Sequence, residues 1–185
     1  MWCSLGMGEV IEFTFEGVIE DTGGPIEAPV SVGDAFRYQY WFDSEALDSD
    51  PATNFGLYAG ALDLRALEIG SWVGSSGDRG DISVLDNGFA GDSYSANIVD
   101  PILFASVGMT NFGGGAFDSD AMPVDLNLAQ WDIRQFSVEV QVGPAFWDAS
   151  GQITGFSSRV VPAPGGVMLG LGGVLAGSRR RRHGC

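Results

Sequence analysis

The chain has no lysine and very little histidine or cysteine. Its only histidine is His183, and its two cysteines are Cys3 and Cys185, close to the two ends. Ser–His–Asp and Cys–His mechanisms need an imidazole base, and typical zinc sites use His or Cys ligands. The long stretch between the ends therefore lacks the residues for these chemistries and for an internal disulfide, so its stability must come from a packed core.

Positive charge is also scarce before the C-terminus. Residues 1–159 carry five arginines against all 24 acidic residues, a net charge of −19. Such a charge repels nucleic acid and anionic lipid, so we expect no nucleic-acid partner. Paired carboxylates could still support glycoside hydrolysis, but no motif selects a pair. We therefore predict that the protein is not an enzyme and assign no catalytic residue; a carboxylate-dependent glycoside hydrolase remains the less favoured alternative.

Apolar and polar residues alternate along most of the chain. The clearest runs are residues 11–15, 36–42 and 136–142, and weaker ones cover 57–69, 82–85, 93–99, 102–107 and 152–157. Clusters rich in Gly and Asp separate these runs, and no segment has a sustained helical period. The pattern predicts an all-β protein, and we interpret it as an antiparallel β-sandwich, jelly-roll-like, formed by one domain over residues 9–159.

The last 26 residues, 160–185, have a different character. Nineteen residues without charge, Val160 to Ser178, precede a basic cluster. As a helix this stretch would be about 28 Å long, close to the roughly 30 Å of a bilayer core. The cluster would hold the C-terminus on the cytoplasmic side, with the body outside. We therefore predict a short hydrophobic transmembrane helix whose topology is set by Arg179, Arg180, Arg181 and Arg182.

This tail resembles the PEP-CTERM sorting signal of bacterial exported proteins. The resemblance rests on a Val-Pro-x-Pro motif, a Gly/Leu-rich apolar segment and a terminal arginine cluster. The motif residues are Val161, Pro162, Ala163, Pro164, Gly165 and Gly166, with Ala163 where the family usually has Glu. The resemblance implies an exosortase-like membrane protease-transpeptidase as partner. It also implies a transient membrane anchor, followed by release or transfer to the cell surface or the extracellular space.

An exported protein of this kind needs an N-terminal secretory signal. Residues 1–8 contain no basic residue and are shorter than the apolar segment of such a signal. We interpret them as the remnant of a signal peptide whose start lies upstream. The alternative is that the chain begins here and is not exported.

Calcium is the cofactor that the body could most readily bind, because Ca²⁺ takes oxygen ligands and acidic loops supply them. The candidate ligands are Asp48, Asp50, Asp118 and Asp120. The competing interpretation is that these residues form solvated turns, which Asp favours. No other cofactor is expected.

Tryptophans could stack on sugar rings, as in saccharide-binding β-domains. The candidates are Trp41, Trp72, Trp131 and Trp147, and the alternation places Trp41 on the polar face of its strand. The alternative is that these rings complete the core. We therefore expect a structural or adhesive surface protein, associated with extracellular polysaccharide or biofilm. A carbohydrate- or calcium-binding module is the alternative.

Overall fold

The computed structural model describes residues 8–50, 52–74, 77–89 and 91–162. This part of the chain forms nine strands and a single 3₁₀ turn. The strands are β1 (Val10–Gly23), β2 (Ala35–Asp43), β3 (Phe55–Ile69), β4 (Trp72–Val73), β5 (Arg79–Gly88), β6 (Gly91–Val99), β7 (Leu103–Asn111), β8 (Ile133–Val142) and β9 (Ala145–Val161), and the 3₁₀ turn is Leu128–Gln130.

Eight of these strands form a closed antiparallel barrel. Each of the eight strands pairs with the strands before and after it in the chain. The short strand β4 is not part of this ring: it pairs with β3 alone, and β3 pairs with β5 as its next neighbour in the barrel. The ring is closed by β9 pairing with β1, where Val161 lies opposite Val10. The prediction of an all-β antiparallel fold is confirmed, but the predicted sandwich and jelly-roll arrangement is wrong. Alternation reveals one buried face per strand, and both a sandwich and a barrel provide one.

The barrel interior is filled by large side chains. An eight-stranded barrel is just wide enough for this, so its centre is a packed core. Aromatic rings dominate this core. The ring centres of Phe13 and Phe42, which meet edge-on, are 4.8 Å apart, and those of Phe36 and Phe136, which stack, are 4.2 Å apart. The largest fully buried side chains are Phe13, Phe15, Tyr38, Tyr40, Tyr94 and Phe136, with Ile19, Leu62, Leu64, Leu67, Ile69 and Ile82.

The last strand extends into the region assigned to the tail. Val160 pairs with Ile11 and Val161 with Val10, so both residues belong to the barrel. The predicted transmembrane helix therefore does not begin at Val160, and its remaining residues 163–178 lie outside the described residues. The motif residues 163–166, Arg179 to Arg182 and residues 1–7 lie outside them as well. In the part of the chain that the structure describes, no helix has the length and apolar character needed to span a membrane.

Candidate functional site

The first pair of predicted calcium ligands stabilises a turn between β2 and β3. The Asp48 Oδ1 atom accepts hydrogen bonds from the backbone N–H groups of Asp50 and Leu57, both at 2.9 Å. The Asp50 Oδ1 atom accepts one from the N–H of Ala52 at 2.8 Å. In this loop both carboxylates are therefore bound to the backbone of their own segment.

The second pair, Asp118 and Asp120, lies in the long connection between β7 and β8. The two acidic loops approach each other at Tyr58, whose hydroxyl donates to the Asp120 carbonyl at 2.8 Å. Burial, followed by the charges of Asp48 and Asp120, raises the pKa of Tyr58. Among the described residues, no group of three or more His, Cys, Asp or Glu side chains could hold a metal ion. Calcium binding stays a prediction.

Three of the four candidate tryptophans pack into the core or against it. Trp147 and Trp131 are 3% and 5% exposed, and half-buried Trp72 meets Trp147 edge-on at 5.1 Å. Trp131 also packs on Phe117, with ring centres 5.2 Å apart. Trp41 differs, because it lies half-buried on the outer face of β2. Of the four candidates, the structure therefore leaves Trp41 as the one best placed for a ligand on the barrel wall.

Trp41 stands in a row of charged residues that crosses five neighbouring strands. The register places Arg159 of β9 opposite Glu12 of β1, Glu12 opposite Trp41, Trp41 opposite Asp63 of β3, and Asp63 opposite Arg79 of β5. Directly opposed residues project from the same face of a sheet and interact. The sequence places Trp41 on a polar face, but only the strand register brings these five residues together.

Glu12 fixes the orientation of the Trp41 ring. Its carboxylate accepts the indole N–H of Trp41 at 2.7 Å and two hydrogen bonds from the Arg159 guanidinium, at 2.5 and 2.8 Å. The Glu12 side chain is only 7% exposed, although it lies on the outer face. The hydrogen bonds from Arg159, assisted by the one from Trp41, lower the pKa of Glu12 despite burial. Glu12 is therefore ionised and held in place.

Arg65 covers the Trp41 ring because β3 is irregular at this point. Across the β2–β3 ladder, Gln39 pairs with Ala66 and Tyr40 with Leu64, so Arg65 is an extra residue. Such bulges redirect a side chain. The Arg65 guanidinium carbon lies 3.8 Å from the centre of the Trp41 ring, a cation–π contact.

Asp63 links Arg65 to Arg79. The Asp63 Oδ2 atom lies 2.8 Å from Nη2 of Arg65 and 3.6 Å from Nη2 of Arg79. The Arg79 side chain is 67% exposed, compared with 38% for Arg65 and 17% for Asp63. One carboxylate is thus shared by two cations, and the outer one reaches into solvent.

A pocket of about 420 Å³ opens beside this row; we call it the Trp41 pocket. A second irregularity of β3 forms one wall, because the ladder to β5 skips the residues between Tyr58 and Leu62. The pocket is lined by Val10, Trp41, Phe42, Asp43, Gly60, Ala61, Asp63, Arg65, Arg79, Val161 and Pro162. Apolar side chains and guanidinium groups therefore face one space.

The geometry of the Trp41 pocket suits binding better than acid–base chemistry. Glu12 has a lowered pKa, whereas a general acid near neutral pH needs a raised one. Asp63 is paired with two arginines. What remains is a site of fixed charges around an oriented aromatic ring. Comparison of the chain with protein-family models, with curated proteins and with solved structures gave no match.

Proposed function

We propose that this protein is exported, held briefly in the membrane by its C-terminal tail, and then processed to the cell surface or extracellular matrix. The observation that carries this proposal is the three-part tail: the Val-Pro-Ala-Pro motif, the uncharged segment and the terminal arginines. Residues 163–178, which follow the last strand, carry no charge and form the proposed anchor, and the arginines favour one orientation in the membrane. The sorting partner is an exosortase-like protease-transpeptidase.

The fold is compatible with removal of the tail. Every strand of the barrel lies within residues 10–161. The last paired residue is Val161, whose partner is Val10. Cleavage after Pro162 would therefore leave all strand pairings intact. The strongly acidic body would remain soluble after release, because its net charge of −19 keeps molecules apart.

The sorting proposal is tested in the native host by cell fractionation and intact-mass measurement. We expect a surface or extracellular species that ends near residues 161–166. Replacing Arg179 to Arg182 with glutamine should leave a folded but mis-sorted protein. Replacement with lysine is the matched control, because it preserves the charge on which topology depends. Normal surface delivery of the glutamine variant would contradict the proposal.

A second candidate function is saccharide binding by the body, which would explain a structural or adhesive role within extracellular polysaccharide. The Trp41 pocket favours it, because small-molecule sites combine apolar walls with a few oriented polar groups. Replacing Trp41 with alanine should then abolish retention of the protein on its polysaccharide. The matched control is Phe112→Ala, which removes an aromatic ring that is 61% exposed and lies outside the pocket.

A further inference from the structure

We propose that the Trp41 pocket binds a carboxylate-bearing sugar residue, a uronate within an acidic polysaccharide. The carboxylate is held by Arg79 and Arg65, and the sugar ring packs against the apolar wall. This inference rests on the saccharide-binding role proposed above and specifies its ligand class.

The distribution of positive charge supports an anionic group. Residues 1–159 contain five arginines, and Arg65, Arg79 and Arg159 gather around Trp41. Five cations against 24 carboxylates make such a cluster unusual for this chain. Within the pocket lining the two signs are equal, two arginines against Asp43 and Asp63. The charged residues that line the pocket therefore sum to zero, whereas residues 1–159 as a whole carry a net charge of −19.

The arginines retain hydrogen-bonding capacity for a ligand. A guanidinium carries five N–H donors in a planar fork, which matches a carboxylate in a bidentate arrangement. The ion pairs of Arg65 and Arg79 both go to the same Asp63 oxygen, and the longer one, 3.6 Å, belongs to Arg79. Since Arg79 is also 67% exposed, its head group can turn towards a ligand carboxylate.

The carboxylates of the pocket do not block an anion. Asp63 is neutralised by the two arginines, and the Asp43 Oδ1 atom accepts the N–H of Glu45 at 2.9 Å. Both can accept hydrogen bonds from sugar hydroxyls. More distant carboxylates weigh little at physiological salt, where screening acts over about 8 Å.

The apolar wall fits the C–H faces of a sugar ring. Val10, Ala61 and Val161 line the pocket together with the Trp41 ring, on which Arg65 packs. Glu12 holds the indole in place, so the ring is oriented before any ligand arrives. An immobilised wall lowers the entropic cost of binding.

The test is calorimetric titration of the full chain with galacturonate oligomers, with neutral galactose oligomers of the same length, and with inorganic phosphate. We expect binding of the acidic oligomer only. Arg79→Gln should weaken it at least about ten-fold, because a charge-assisted contact is lost. Arg37→Gln is the matched control: it removes the same charge from a groove lined by Glu16 and Glu68, outside the Trp41 pocket. It should change affinity less than about two-fold.

Four outcomes would overturn the inference. Equal binding of neutral oligomers would leave a saccharide site without the carboxylate contact. Binding of phosphate alone would indicate a simple anion site. Equal losses in the two arginine variants would indicate a general charge effect, and no binding at all would remove the saccharide role. None of these results bears on sorting, which the tail variants test independently. Circular dichroism melting of both variants establishes that each one is folded.

Discussion

At the scale of single residues, two hydroxyl groups in the barrel centre depend on each other. The hydroxyls of Tyr40 and Tyr94 form a hydrogen bond, and both side chains are fully buried. Removing one hydroxyl leaves the other unpaired in the core, which costs more than removing both. We expect Tyr40→Phe to lower the free energy of unfolding by about 1–2 kcal/mol. The double variant Tyr40→Phe/Tyr94→Phe should cost less than the sum of the single changes.

Urea unfolding of the wild type, the two single variants and the double variant measures this coupling. The matched comparison is Tyr58→Phe, because the Tyr58 hydroxyl donates to a backbone carbonyl outside this pair. Its effect should add to that of Tyr40→Phe. Strict additivity of Tyr40→Phe and Tyr94→Phe would show that the hydroxyl pair contributes nothing.

A buried carboxylate also holds a loop to the barrel. Asp92 of β6 is fully buried and accepts hydrogen bonds from the N–H groups of Asn87 at 2.8 Å, Ala116 at 2.6 Å and Phe117 at 3.0 Å. Because Asp92→Ala leaves these donors unpaired, we expect it to lower the free energy of unfolding by about 3 kcal/mol, measured by chemical denaturation. Asp86→Ala, on the neighbouring strand β5, is the control, and it should lower the free energy of unfolding by less than about 0.5 kcal/mol.

The same carboxylate makes stability depend on pH. Burial alone would raise the pKa of Asp92, but the surrounding backbone N–H groups outweigh burial and lower it. A lowered folded-state pKa adds stability that is complete above the unfolded value of about 3.9 and is lost as the pH falls through the folded value. Asp92→Asn should therefore flatten the acid limb of the stability curve. An unchanged acid limb in that variant would contradict the assignment.

At the scale of elements, crowding between β1 and β9 decides which glycines are required. A Cβ atom on Gly151 of β9 would overlap the carbonyl oxygen of Val18, whereas one on Gly108 of β7 would meet no atom within 4 Å. We expect Gly151→Ala to destabilise the barrel by about 1–3 kcal/mol through overpacking. Gly108→Ala should be neutral or slightly stabilising, since alanine restricts the unfolded chain. Thermal melting of both variants checks this, and equal melting temperatures would refute it.

At the scale of the whole molecule, all four tyrosines report on barrel integrity. Burial is the main cause that raises the pKa of Tyr38, Tyr40, Tyr58 and Tyr94. Raised folded-state values add stability that is complete below the unfolded pKa of about 10 and is lost as the pH rises above it. We expect phenolate absorbance at 295 nm to appear together with loss of the near-ultraviolet circular dichroism. In denaturant the tyrosines should titrate near pH 10; the same titration in the folded state would contradict the prediction.

Local alternation determined the strands of this protein. The predicted runs at 36–42, 57–69 and 93–99 lie within β2, β3 and β6. Successive side chains of a strand point to opposite faces, so a sheet with one buried face has apolar residues at every second position, whatever its closure. Closure itself depends on pairing between residues far apart, such as Val10 with Val161, and no local pattern encodes it. The absence of lysine and histidine from the body was equally a matter of sequence, and so was the tail motif.

The tertiary structure decided which side chains share a site. The alternation singled out Trp41, but its partners Glu12, Asp63 and Arg79 come from three other strands and meet it only through register. The bulge that turns Arg65 over the indole is a mismatch between two strands, which neither strand reveals alone. The strands and the proposed sorting tail could therefore be predicted from the sequence alone, since both are local patterns. The pocket could not, since its residues belong to different strands and are brought together only by folding.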